Sequence, residues 1–100
     1  MQSEDEKPAA PRVKVTGLND NLDFLGTPLH VQTESLQLPE ARIVTQVFSK
    51  GRILFSRKSD IPPEFLLSGD PEPVRALMRS QHSSVLGEIA DKQKRIQAKS

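Results

Sequence analysis

The chain contains no cysteine, no tryptophan and no tyrosine, and its 100 residues include only four phenylalanines. Without cysteine there is no disulfide framework, no thiolate metal site and no thiol nucleophile. With 35% apolar residues and so few aromatics, the core must be modest, and part of the chain is expected to lean on a partner. Long hydrophobic runs are missing too: none approaches the roughly 20 residues that a membrane helix requires. The net charge of +1 disfavours a whole-molecule polyanion binder. The opening MQSEDEKPAAPR is acidic and lacks the apolar stretch of a signal peptide. These features give the expectation of a soluble, cytoplasmic protein.

What is present is patterned. Residues 1–11 are charged, Ala/Pro-containing and aperiodic, which predicts a disordered tail ahead of a single domain over 12–100. Arg12 to Thr16 alternates briefly, as a short edge strand would, and Gly17 to Gly26 holds turn formers around Leu18, Leu22, Phe24 and Leu25. That second stretch reads as a loop or one helical turn. Strands are predicted over about 29–35, 43–49 and 52–58, with Pro39 breaking the chain between the first two. Lys50-Gly51 forms the two-residue turn between the last two, since Gly accepts the positive φ that a type I′ hairpin needs. In the register this turn implies, Phe48 faces Ile53, Gln46 faces Phe55 and Val44 faces Arg57 on one surface. Neither surface is cleanly polar, so both are expected to be covered in part.

Ile61-Pro62-Pro63 ends the sheet region, and Glu64 to Leu67 reads as a short helical turn. A helix then runs over about 71–98. Asp70 suits the N-cap, Pro71 the first position, and Glu72 the positive end of the dipole. Val74, Leu77, Met78, Val85, Leu86, Ile89 and Ile96 recur at three- and four-residue spacing. At 1.5 Å per residue the helix is roughly 42 Å long, against about 23 Å for a seven-residue strand, so its last turns should overhang the sheet. The fold class is therefore α+β: a three-stranded antiparallel β-meander packed on one long C-terminal α-helix.

Catalytic patterns are weak. His30 and His82 are the two imidazoles, with Glu34 the nearest companion of His30, and no metal-ligand spacing links them. No GxSxG elbow accompanies the serines. The pairs Asp20/Asp23 and Glu64/Asp70 sit in turn or capping contexts, and the isolated glycines build no phosphate loop. No cofactor, metal or catalytic residue is assigned.

The segment Arg42–Lys58 stands out, with five basic side chains and no acidic one. Arg42, Lys50, Arg52, Arg57 and Lys58 interleave with Phe48 and Phe55. Such a hairpin can grip an acidic protein surface, where aromatic and arginine side chains dominate contacts. It can also contact phosphates and stack bases, although no nucleic-acid motif supports that reading. Bare solvation of the charges is the plainest alternative. The expected partner-binding set is Phe48, Arg52, Ile53, Phe55, Arg57 and Lys58. A second candidate interface, for a homodimer or a partner helix, is Val85, Ile89 and Ile96.

Residues 24–61, FLGTPLHVQTESLQLPEARIVTQVFSKGRILFSRKSDI, resemble a family of very short, cysteine-free bacterial proteins. Its members carry an HVQTE strand followed by an IVTQVF-x-x-GRIL hairpin and occur in predatory, gliding and metal-reducing bacteria. The shared motifs are structural rather than catalytic. The resemblance to small polarity proteins of gliding myxobacteria implies a complex with the response-regulator protein RomR. Together these would act on the Ras-like motility GTPase MglA, stimulating guanine nucleotide exchange, with localisation to a cell pole through the partner. The expected function is a non-enzymatic interaction module that regulates a small GTPase in cell polarity and motility. The alternatives are a small nucleic-acid-binding protein using the basic hairpin and a self-associating scaffold subunit.

Overall fold

A computed structural model describes residues 12–99, and the tail expected over 1–11 lies outside the described residues. The domain is α+β. Strands β1 (Leu18–Phe24), β2 (Thr27–Leu36), β3 (Arg42–Ser49) and β4 (Arg52–Asp60) form an antiparallel meander in the order β1-β2-β3-β4. Helix α1 (Pro63–Leu67) is a single short turn, and the long helix α2 (Glu72–Ala98) packs across β1, β2 and β3.

The sheet has four strands rather than three, because Leu18–Phe24 is a strand and not a loop. Leu18, Leu22 and Phe24 alternate toward the helix as the pleat demands, pairing with Thr33, Leu29 and Thr27 of β2. The alternate position Asp20 breaks the apolar pattern and meets His82 of helix α2 instead. Arg12–Thr16, by contrast, joins no ladder. Val13 is held instead by the side-chain amide of Gln37, which donates to the Val13 carbonyl at 2.8 Å and accepts its N–H at 2.9 Å.

Both tight hairpins turn on two left-handed residues. Leu25 and Gly26 have φ of 54° and 88°, and Lys50 and Gly51 have φ of 53° and 79°, the geometry that matches the strand twist. Helix α2 begins one residue later than its sequence suggests, with Pro71 rather than Asp70 at the N-cap. The Asp70 carboxylate accepts the Glu72 N–H at 3.0 Å, and Glu72 itself gathers Arg75 and Arg79, each at 2.8 Å. Near the other end, Gln93 accepts the Leu25 N–H at 2.6 Å and ties the helix to the first hairpin. The positions from Lys94 to Lys99 are exposed, in keeping with the expected overhang.

The core is apolar, then polar, then apolar. One cluster holds Val13, Ile43, Ile61, Leu66, Val74 and Met78, and the other holds Leu29, Val31, Val47 and Val85. Between them runs a buried belt of Thr33, Thr45, Gln81 and His82. The gap in the apolar helix stripe between Met78 and Val85 is where Gln81 and His82 enter the interior. Gln81 donates to Thr45 Oγ1 and to the Arg57 carbonyl, both at 3.1 Å, and accepts the Ser59 hydroxyl proton. Thr45 and Thr33 are joined at 2.7 Å, Thr33 meets His82 Nδ1 at 2.7 Å, and His82 Nε2 meets Asp20 at 2.7 Å. One direction of donation satisfies every link: Gln81 to Thr45, to Thr33, to His82 Nδ1, with the Nε2 proton given to Asp20. The belt touches all four strands and sets the helix in register over the sheet.

Candidate functional site

The meander has two edge strands, β1 and β4, and β4 carries the largest exposed apolar group in the sheet. Ile53, Leu54 and Phe55 are 54%, 61% and 39% exposed. Helix α2 lies over the other three strands and reaches β4 through side chains, Gln81 to the Arg57 carbonyl and Glu88 to the Arg57 guanidinium.

A β-bulge decides which way these residues point. Phe48 pairs with Ile53, as the turn predicts, but Val47 pairs with Phe55, so Leu54 is an extra residue in β4. Every pair beyond it is shifted by one from the regular register: Gln46 opposes Ser56, Thr45 opposes Arg57, and Val44 opposes Lys58. The expected pairings Gln46–Phe55 and Val44–Arg57 do not form. Phe55 and Arg57 therefore share the helix-facing side with Val47 and Thr45. Phe48, Ile53 and Lys58 lie on the opposite face. Arg52, paired with Ser49, comes just after the turn. The six predicted contact residues form one ribbon, but they divide between its two sides.

The charges also divide. Arg57 forms a two-pronged pair with Glu88, one arm at 2.8 Å, and its guanidinium lies 5.1 Å from the centre of the Phe55 ring. Hydrogen bonding to Arg57 holds the Glu88 carboxyl below its usual range, and Glu88 in turn raises Arg57. Because Glu88 is depressed in the folded chain, this link is present above the ordinary carboxylate range and is lost as pH falls through the lowered value. We expect carbon-13 NMR titration to place Glu88 below an exposed glutamate of the same chain, with Arg57→Gln returning it to the usual range. Arg42 is paired with Glu40 and, at 3.9 Å, with Asp60. Lys50, Arg52 and Lys58 make no ion pair among the described residues.

Beside β4, the sheet and helix diverge into an open groove of about 590 Å³. Phe24 and Leu29 line one side, Leu54 and Phe55 the other, and Val85 and Ile89 come from the helix. Of the proposed helix interface, Val85 is 1% exposed and belongs to the core, which removes it from any contact between molecules. Ile89 is half-buried over the same cluster, and Ile96 is 39% exposed.

The remaining candidates have local roles. Asn21 and Asn19 bond the two His30 ring nitrogens at 2.9 and 3.1 Å, while Glu34 lies against Gly17, so the two do not make a metal pair. Among the described residues no cluster of three His, Asp or Glu side chains could hold a metal ion. Asp23 accepts the Gly26 N–H at 2.9 Å. Nothing in the local sequence signals the hydroxyl–imidazole–carboxylate chain Thr33–His82–Asp20. Its order resembles that of a nucleophilic triad, but Thr33 is fully buried and its hydroxyl is already engaged on both sides. No helix among the described residues is long and apolar enough to cross a membrane.

No family model matches the chain, and neither does any curated protein or any solved structure.

Proposed function

We propose that the chain is a non-enzymatic protein-interaction module, and that it docks on its partner through the β3–β4 ribbon. The observation that carries this reading is the run Ile53-Leu54-Phe55, left largely in water on a strand that the helix does not cover. An exposed apolar edge strand is a liability unless something pairs with it.

The identity of the partner rests on the resemblance of residues 24–61 to the short bacterial polarity proteins, RomX of myxobacteria among them. On that reading the chain acts with RomR on the Ras-like GTPase MglA and promotes nucleotide exchange, at a cell pole set by the partner. Exchange of this kind needs no covalent chemistry. The module binds the open, nucleotide-free GTPase better than the GDP form and so shifts the population. The nucleic-acid alternative is weakened by two facts. Arg42 and Arg57 are already held by carboxylates, and Phe48 and Phe55 lie on opposite faces, so they cannot form one stacking platform.

Release of a fluorescent GDP analogue from the GTPase, with the chain alone and with the response regulator, tests the proposal. An acceleration of about tenfold or more is expected, equivalent to ~1.4 kcal/mol off the release barrier. An unchanged rate under both conditions would remove the exchange reading.

A further inference from the structure

We propose that β4 is a strand-addition site for an acidic, alternately apolar segment of a partner protein, which would become the fifth strand of the sheet. The inference rests on the interaction-module reading and specifies its chemistry. Three observations carry it. First, β4 is nine residues long and ends the sheet, so its outward N–H and C=O groups have no ladder partner among the described residues. A strand laid along them would gain main-chain hydrogen bonds, with alternate side chains read by whatever lies beside the edge. Second, what lies beside it is the groove walled by Leu54 and Phe55, so alternate side chains of the added strand would meet apolar surface.

Third, the charge is one-sided. Arg52 and Lys58 on the strand, and Lys92 and Arg95 at the groove rim, have no carboxylate partner among the described residues, against one unpaired acid there, Asp91. A segment bearing carboxylates between its apolar residues is attracted, and a basic one is repelled. The same charge argues against a second copy as the occupant. The charges of β4 that no ion pair compensates, Arg52 and Lys58, are both positive, so two copies paired edge to edge would bring like charge together. The bulge at Leu54 also interrupts a regular self-ladder.

Blocked nine-residue peptides of alternating Val-Glu and alternating Val-Lys, added to the full chain and followed by NMR, test this. The acidic peptide is expected to shift the β4 amides, and the basic peptide to leave them unmoved. N-methylation of alternate acidic-peptide residues, in the phase that faces β4, should abolish binding. Leu54→Asp should weaken it by about tenfold or more. Equal response to both peptides, full binding by both N-methylated phases, or a dimer of the isolated chain with β4 at its centre would each overturn the proposal. If the acidic peptide binds β4 but the chain leaves GDP release unchanged, the GTPase reading fails and the strand site stands. If GDP release is accelerated equally by wild type and Leu54→Asp, the reverse holds.

Discussion

Val85→Asp is expected to unfold the domain, whereas Leu54→Asp should leave its melting temperature nearly unchanged. The two apolar residues line the same groove, yet one is buried and the other stands largely in water. Val85 is 1% exposed and packs with Leu29, Val31 and Val47. An aspartate there would bury a carboxylate with no cation beside it, at a cost of about 3–5 kcal/mol or more. That is a large part of the ~5–15 kcal/mol that holds a typical domain together. Leu54 is 61% exposed and is the extra residue of a bulge, so few native contacts depend on it. A change at such a site falls within about 0.5 kcal/mol. Far-ultraviolet circular dichroism with thermal melting separates the outcomes. Similar destabilisation by both substitutions would mean that β4 is part of the core.

Thr33→Val should be the most costly near-isosteric change in the molecule. Thr33 is fully buried, and its hydroxyl links Thr45 to His82. A methyl group in its place leaves the His82 nitrogen buried without its partner, costing about 1–3 kcal/mol. Adding His82→Leu removes the stranded group, so the double variant should recover part of the loss. The expected coupling between the two sites is about 0.5–3 kcal/mol, measured by denaturant unfolding of all four proteins. Strictly additive losses would show that the belt does not act as a connected network.

Local rules made much of this fold legible. The second to fourth strands, the Lys50-Gly51 turn and, to within a residue, the start of the long helix follow from period-two alternation, positive φ and the Asp-Pro-Glu run, each visible within a few residues. What was hidden depends on partners distant in sequence. β1 keeps its alternation at Leu18, Leu22 and Phe24, but Asp20 interrupts it and the flanking asparagines imitate a turn. Asp20 stays exposed at the rim of the helix-facing side, where the buried His82, 62 residues away, meets it at 2.7 Å. Gln81 and His82 likewise look like surface residues until the strands opposite supply Thr33, Thr45 and Ser59. The bulge at Leu54 has no marker of its own, since every residue from Ile53 to Phe55 suits a strand. Its consequence is nevertheless large: it turns Phe55 and Arg57 toward the helix while Phe48 and Ile53 face away. The ribbon as a contact surface could be inferred from its composition, but not the division of its residues between two sides.

Amide hydrogen exchange of the isolated chain, resolved along β4, tests most directly whether this edge is open. In β2 and β3, paired on both sides, slow exchange should run through successive residues. In β4 it should alternate, with amides bonded to β3 protected and those facing outward exchanging quickly, apart from the irregularity at Leu54. Continuous protection from Ile53 to Ser59 would show the edge already covered in the isolated chain, and would contradict its role as a docking strand.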